Sequence, residues 1–517
     1  MNENDSTQEN ESTEVVAADG AVTVNDPPVK PKWGTDAPKG GKTVFNRILN
    51  DGAKVPLFLG QTLMRSLRDL GYNSTTSAIC EHVDNALQWG ATEVRVYFRQ
   101  KGKSGHLQID ALVLDNGQGM APNTLKVAMA FGGSIVFENR TGIGRYGMGM
   151  KTAALNVARS VDVYSWQERG AFYWMTLDVD AVGGDRNNSI ELDDPQLTDR
   201  LPSPIAEVIT RPAIYPPKPA YSQTLLTDDA DELTDRLAPS GTLVYMPNCD
   251  RLTYKTERGL VDDAVREFSR VYRRFIAKGS KIYVNNRLVD AFDPIYWMKT
   301  ARHTSVEGLA VTQSHLLDSW AVPVPTVEGG RAATEVRVRV FLLPVEAWAG
   351  LPRDTLKNKM HVYEDHTVSF MRNEREVDIG SFRPLQLGKH PTNNWFRVEV
   401  EFNGEGDEGF GVAANKQGVR LEDYVARAIL VRLEGNITRA RKIIREAQQK
   451  VTASQQPGQS NEAERVASQA DGVQAVPLPQ SPTDTPDQVA ALEANLRGLA
   501  VSLRQEGETD DQAFARV

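Results

Sequence analysis

The sequence predicts an α+β protein built as two successive α/β blocks. Three observations carry this. A stretch with apolar residues at helical spacing (74–89) runs directly into the period-two alternation of Val94, Val96 and Phe98. A glycine-rich loop at 142–149 opens a further helix, with more strands behind it. From about residue 261 to 450, strands and helices alternate again.

The elements follow in order. Residues 1–32 are polar, acidic and free of aromatics, which predicts disorder. Leu57–Leu70 (LFLGQTLMRSLRDL) has helical apolar spacing and is expected to pack on the first domain. Ser74 is the expected N-cap of a helix ending near Trp89, with Gly90 as its stop. Its apolar stripe is Ile79, Val83, Ala86 and Leu87, and Ser77, Glu81, Asn85 and Gln88 form the other face. Glu93–Phe98 and Leu107–Asp115 read as strands, 150–158 as a helix, and Val161–Trp166 and Ala171–Asp178 as strands. Residues 180–240 are rich in Pro and Asp and read as an insertion with little regular pattern. Leu243–Met246 resumes a strand, and an amphipathic helix near Val261–Ala277 marks the passage to a second domain. To that domain are assigned the strands Lys281–Val284, Val336–Leu343, Thr367–Arg372 and Phe396–Phe402 and a final helix Leu421–Lys450. The expected organisation is a tail (1–32), a first domain (33–255), a second domain (260–450) and a linker and tail (451–517) with one short helix at Val489–Arg504. No internal repeat is visible.

A chain of 517 residues has room for two or three domains, and 40% apolar residues support real cores. No apolar run approaches the ~20 residues needed to span a bilayer, and no secretory leader is recognisable. A soluble cytoplasmic protein without membrane contact is expected. Cys80 and Cys249 are the only cysteines, which excludes a disulfide framework and a cysteine metal site. The net charge of −9 is uneven: residues 1–32 carry −5 and residues 453–517 carry −6, so the middle sits near neutrality. The acidic balance belongs to the tails and does not exclude a nucleic-acid partner.

Three short motifs carry chemistry. The first is Glu81-His82-Val83-Asp84-Asn85-Ala86, which puts a carboxylate and a carboxamide four residues apart on one helical face. Hydrolysis needs a carboxylate to orient and deprotonate water, and a carboxamide oxygen suits hard Mg2+. The second is Asp115-Asn116-Gly117-Gln118-Gly119-Met120, at the end of the strand Leu112-Val113-Leu114. An acceptor-only carboxylate there can take the amino hydrogen of adenine and reject guanine, while Gly117 and Gly119 let backbone approach. The third runs from Gly142 through Gly144, Gly147 and Gly149 to Met150 and Lys151. Its glycines suit a loop closing over phosphates, with amides at the start of the following helix facing the anion, and Lys151 is a candidate phosphate contact. Singly, each motif is more often a solvated helix face, an Asp-Asn-Gly turn or a helix-start lysine. Their order and spacing are what point to a nucleotide pocket outside the P-loop type.

Two other readings of the glycine loop fail. Gly142-x-Gly144-x-x-Gly147 fits a dinucleotide fingerprint, and Gly144 to Thr152 nearly fits a Walker A loop. Both require a buried strand immediately before, and Glu138-Asn139-Arg140-Thr141 is polar.

On these motifs the chain resembles the ATPase superfamily of gyrase B, the 90-kDa heat-shock chaperones, the histidine kinases and MutL (GHKL), nearest its MutL and MORC branches. The resemblance covers roughly residues 55 to 250 well and 260 to 450 loosely. It implies a Bergerat-type α/β sandwich, a mixed sheet with helices on one face, holding ATP beneath a mobile lid and followed by a smaller transducer-like α/β domain. It implies that Glu81 is the catalytic glutamate, Asn85 the Mg2+-binding asparagine and Asp115 the adenine-binding aspartate of a D-x-G-x-G motif. Asp84 takes a supporting role. It also implies that Thr242, in the pair Gly241-Thr242, helps hold adenine. Lys416, in the loop Asn415-Lys416-Gln417, matches a lysine that relatives project onto the γ-phosphate. The cofactors implied are ATP and Mg2+, and the partner a second copy of the chain on ATP binding.

Two basic helical faces are candidates for nucleic acid: Arg266, Arg270, Arg273 and Arg274, and Arg439, Arg441, Lys442 and Arg445. Ordinary solvated faces look the same. The leading expectation is an ATPase whose slow hydrolysis drives a conformational cycle, in a DNA transaction or DNA-directed defence by analogy alone. The alternatives are a nucleotide-sensing scaffold with negligible turnover, and a protein kinase of the histidine-kinase branch. The kinase is disfavoured because no phospho-accepting helical hairpin precedes the pocket motifs and Glu81 stands where a base would activate water. Segment Phe370–Glu376 resembles a strand-turn of some relatives but suggests no chemistry.

Overall fold

In a computed structural model of the chain, the described residues are 60–69, 71–102, 107–133, 147–181, 192–210, 230–301, 309, 313–326, 330–412, 416, 418–455 and 497. The predicted tail 1–32, the helix at 489–504 apart from Arg497, and Gly142 and Gly144 of the glycine loop lie outside them.

Helix α1 spans Gly60–Arg68, and the side chain of Arg68 donates to the carbonyl of Leu155 at 2.8 Å. Ser74 then caps α2 (Thr75–Gln88) as its sequence predicts: its hydroxyl accepts from the Ser77 amide at 3.0 Å, and the Ser77 hydroxyl accepts from the Ser74 amide at 2.9 Å. Gly90, at φ +81°, ends the helix in a conformation that L side chains rarely adopt. The polar face of α2 is not solvated. Glu81, His82 and Asp84 are buried along with Ile79 and Val83.

Next come β1 (Glu93–Lys101), β2 (Gln108–Asp115), α3 (Pro122–Met129), α4 (Gly149–Val157), β3 (Ser160–Trp166) and β4 (Phe172–Asp178). They are followed by β5 (Gln196–Thr198), α5 (Ser203–Thr210), α6 (Ala230–Arg236), β6 (Gly241–Met246), α7 (Glu257–Val271), α8 (Arg273–Ala277), β7 (Lys281–Val284) and β8 (Arg287–Leu288). One mixed sheet joins the strands in the order β5-β4-β3-β6-β2-β1-β7-β8. Strand alternation divides its two faces. Val94, Val96, Phe98, Val113, Val163 and Val244 meet α2, α4 and α7 on one side. Tyr97, Leu112, Tyr164, Trp166 and Leu243 face the other.

Two expectations change here. Among the described residues, 180–240 contribute β5, α5 and α6; Ile205, Val208, Ile209 and Leu233 on these helices, with Leu237 just after α6, cover the second sheet face. The Pro and Asp content concealed two short amphipathic helices. Lys281–Val284, assigned from sequence to the second domain, instead pairs parallel with β1 (Val94 opposite Ile282). A helix between parallel strands is the ordinary crossover, so α7 belongs to the first sheet.

A second, five-stranded sheet has the order β12-β11-β13-β10-β9, formed by β9 (His315–Pro325), β10 (Ala333–Leu342), β11 (Val368–Arg372), β12 (Arg375–Gly380) and β13 (Phe396–Phe402). A short helix, α9 (Val345–Trp348), follows β10. The sheet buries Val338, Val340, Phe370, Val398 and Val400 against Val425, Ile429, Leu433 and Ile437 of α10 (Asp423–Gln455). Strand β9 was not recognised in the sequence because Pro323 and Pro325 argue against a central strand. It lies at the sheet edge, where a missing amide costs no ladder bond, and Trp320, Val322 and Val324 alternate inward.

Candidate functional site

Between α2, the end of β2, α3, the start of α4 and β6 lies a cavity of about 360 Å3. Of the predicted site residues, Glu81, Asn85, Asp115, Gly119, Met120, Gly147, Gly149, Met150, Lys151, Thr242 and Lys416 line it. Gly117 lies just outside, beneath Asp115.

At one end, β2 and β6 pair antiparallel so that Asp115 stands opposite Thr242. Asp115 Oδ1 accepts from the amides of Gly117 at 2.8 Å and Thr242 at 3.3 Å. Burial raises the carboxyl pKa to about 6 against these two bonds. Gly117 must be small, since a Cβ there would sit 3.0 Å from Asp115 Oδ1 and 3.1 Å from the Trp89 carbonyl. Gly119 is more constrained: φ is +65°, and a Cβ would lie 1.9 Å from the Trp166 carbonyl oxygen. Ser165, which the sequence did not single out, ties this end together. Its hydroxyl accepts from the Met120 amide at 2.8 Å and lies 3.0 Å from the Thr242 hydroxyl. Val113, Met120, Val127 and Val244 give the slot apolar walls.

At the other end, Glu81 is buried on α2. Its Oε2 accepts from Lys416 Nζ at 3.0 Å, and its Oε1 is buried with no hydrogen-bond partner among the described residues. Gly149 opens α4 directly against this carboxylate, where a Cβ would come within 2.4 Å of Oε2. Lys416 Nζ also donates to Asp84 Oδ2 at 2.8 Å. Asp84 Oδ1 accepts from Arg375 Nε at 2.8 Å and lies 2.8 Å from the Tyr272 hydroxyl. Burial works to raise the Asp84 pKa, but Arg375 and Lys416 outweigh it and hold the carboxyl below its ordinary value.

Lys151 is not the solvated helix-start lysine: it is buried and lines the cavity. Its buried ammonium donates to the carbonyl of Ala128 at 2.6 Å, and among the described residues it meets no carboxylate. Burial lowers its pKa to about 8. His82 lines the same cavity with neither ring nitrogen partnered, and burial holds it neutral with a pKa of about 4.

Three of the four arginines of the first basic face are spent on structure. Arg273 donates to Glu376 at 2.6 Å and Ser369 at 2.9 Å, Arg274 to Glu401 at 2.6 Å and Glu399 at 2.9 Å, and Arg270 pairs with Glu376 and Glu267. The pairs with Glu376, Glu399 and Glu401 bind α7 and α8 to the second sheet, whereas Arg266 stays exposed and pairs with Asp263 of its own helix. On α10, Arg439, Lys442 and Arg445 are exposed.

Sequence reasoning missed Ser165, Tyr272 and Arg375. The segment Phe370–Glu376 had no assigned chemistry, although Arg372, Arg375 and Glu376 crowd a hairpin of otherwise apolar strands. Charges in such a pattern signal buried partners, but nothing in the spacing says which.

Comparison with known proteins agrees with this geometry. Residues 72–207 match a family model described as "Histidine kinase-, DNA gyrase B-, and HSP90-like ATPase". Three Arabidopsis thaliana proteins are similar. Protein MICRORCHIDIA 7 is 36% identical over 91 residues, 17% of this chain and 13% of its own. Protein MICRORCHIDIA 4 is 38% identical over 91 residues, 17% and 11%, and Protein MICRORCHIDIA 1 is 39% identical over 97 residues, 18% and 15%. The matched part thus spans less than a sixth of each relative. Among the described residues, no helix is long and apolar enough to cross a membrane.

Proposed function

We propose, from the match of residues 72–207 to a family model of histidine kinase-, DNA gyrase B- and HSP90-like ATPases, that the chain binds ATP and hydrolyses it slowly to ADP and phosphate. The observation that carries the reading is the pairing at Glu81. One carboxylate oxygen is held by a cation from a loop beyond the second sheet, and the other is buried and, among the described residues, unpartnered, in the cavity that Asp115 closes at its far end.

Each residue has a role in this reading. Asp115 accepts the adenine amino hydrogen and Thr242 supports it. Gly147, Gly149 and Met150 bring backbone to the phosphates, with Gly142 and Gly144 in the same loop. Lys151, a buried ammonium without a carboxylate, meets phosphate charge. Asn85, on the same wall of the cavity one turn beyond Glu81, is the residue to hold Mg2+. Bound there, Mg2+ would offset phosphate charge. Glu81 takes a proton from water as the water oxygen attacks the γ-phosphorus and the bond to the bridging oxygen breaks. Lys416 exchanges Glu81 for the γ-phosphate, which frees the base. An ion pair that must open before each turnover fits a slow enzyme better than a fast one. Closure of residues 142–149 over ATP, and pairing of two copies, complete the proposed cycle. A nucleic-acid partner would find exposed Arg439, Lys442 and Arg445 together on α10, whereas on α7 and α8 Arg270, Arg273 and Arg274 are held by carboxylates.

The test is titration of the purified protein with Mg2+-ATP by calorimetry, together with phosphate release. Saturable binding that Asp115→Asn weakens, with slow phosphate release, supports the reading. Absence of ATP binding by the folded protein contradicts it.

A further inference from the structure

Four charged side chains meet where α2 touches the second sheet. Glu81 and Asp84 come from one turn of α2, and Lys416 and Arg375 from the second sheet and its loop. All are buried: Glu81 at 3%, Asp84 at 0%, Lys416 at 7% and Arg375 at 5% exposure. The cluster is neutral as a whole, and its bonds are unevenly shared. Lys416 touches both carboxylates, whereas Arg375 touches Asp84 alone of the two, with further bonds from Nη1 to the Glu376 carbonyl at 3.1 Å and to the backbone carbonyl of Lys416 at 3.5 Å. Tyr272 lies beside the same Asp84 oxygen as Arg375 and is anchored near the Cys80 carbonyl at 3.0 Å. Lys416 and Glu81 line the cavity, and Arg375 and Asp84 do not.

Removing Lys416 from this cluster has different consequences for its two partners. Asp84 stays compensated by Arg375 and Tyr272, while Glu81 is left a bare carboxylate. Without Arg375, the departure of Lys416 would leave two buried anions on adjacent positions of one helical turn, an arrangement that resists charge separation strongly. We propose that Arg375 is a positioning residue for hydrolysis: by holding the charge of Asp84, it lets Lys416 leave Glu81 for the substrate phosphate. The second sheet thus supplies two cations with separate tasks, one that moves and one that stays. The proposal rests on the hydrolytic reading above.

Arg375→Gln, Arg375→Lys and the double variant Asp84→Asn/Arg375→Gln test it, each measured for ATP affinity and for kcat against KM. In Arg375→Gln, Lys416 is retained by Asp84. Turnover should fall on the order of 10²-fold, the scale of a general base's contribution, with ATP affinity close to wild type. The double variant removes the charge that retains Lys416 and should recover turnover to within a few-fold of wild type. A merely structural arginine would give no such rescue. If Arg375→Gln does not fold, Arg375→Lys and the double variant carry the test, both predicted to turn over within a few-fold of wild type. Wild-type turnover in Arg375→Gln overturns the proposal, and so does a folded double variant that stays inactive. If the wild-type protein itself releases no phosphate, it is the hydrolytic reading that fails. If wild type is active and the variants behave otherwise than stated, this inference fails alone.

Discussion

Lys416 Nζ lies 3.0 Å from Glu81 Oε2, although 335 residues separate them in the chain. The pair joins a loop of the second sheet to the helix that carries the proposed base, and puts a charge of the second sheet inside the nucleotide cavity. Lys416→Ala is expected to leave ATP affinity nearly unchanged, because its contact with phosphate forms only as the site engages for reaction, while turnover falls. Equilibrium binding and steady-state rates on the same preparation check this. Wild-type turnover in the variant would remove the second sheet from the site.

Asp115→Asn exchanges an acceptor-only carboxylate for an amide with donors. The loss of a charge-assisted bond is about 1.5–3 kcal/mol, or roughly ten- to a hundredfold in affinity. Asp115 titrates near 6, raised by burial. As pH falls through that value the carboxylate gains its proton, so wild-type affinity should fall relative to that of Asp115→Asn between pH 7 and 5. Calorimetric titrations of both proteins across that range measure the ratio. A ratio independent of pH would argue that Asp115 does not face the base as an anion.

The Lys151 ammonium, depressed to about 8 by burial, should be re-protonated by an incoming phosphate. At pH near 8.5 the free site is largely neutral and the ATP-bound site charged, so binding takes up protons. At pH 7 the lysine is already charged, and uptake should be small. Calorimetry in buffers of different ionisation enthalpy reads the uptake, which should vanish in Lys151→Met.

Arg273 is 1% exposed and pairs with Glu376 and Glu399 across the two sheets. Arg273→Ala takes one cation from Glu376 and from Glu399, which Arg270 and Arg274 still pair, so the expected cost is a measurable fraction of the about 3–5 kcal/mol of a fully broken buried pair. Urea unfolding should show this loss, whereas Lys442→Ala, on the exposed face of α10, should change stability little.

Much of the site could be read from the sequence because its parts are local. Ser74 caps α2, Gly90 ends it, and the i to i+4 spacing brings Glu81 and Asn85 to one cavity wall. Asp115 at a strand end and Thr242 at a strand start meet because β2 and β6 pair in that register. What stayed hidden depends on pairing at long range. Arg273 and Arg274 lie opposite an apolar stripe and so look like a solvated face, until the second sheet brings Glu376, Glu399 and Glu401 to them. Lys281–Val284 reads as a strand from its own residues, but only its parallel partner β1 says which sheet it joins. The burial of Glu81 and Asp84 likewise needs distant partners: Gly149 against Glu81, Tyr272 and Arg375 at Asp84, and Lys416 on both.

Glu81→Gln tests the central claim most directly, in a single-turnover experiment with excess protein over Mg2+-ATP and a parallel measurement of ATP binding. The side chain keeps its shape and loses its capacity to take a proton. The account predicts ATP affinity within a few-fold of wild type and hydrolysis slowed by about 10²–10⁴-fold. Hydrolysis at the wild-type rate by a folded Glu81→Gln protein would contradict it.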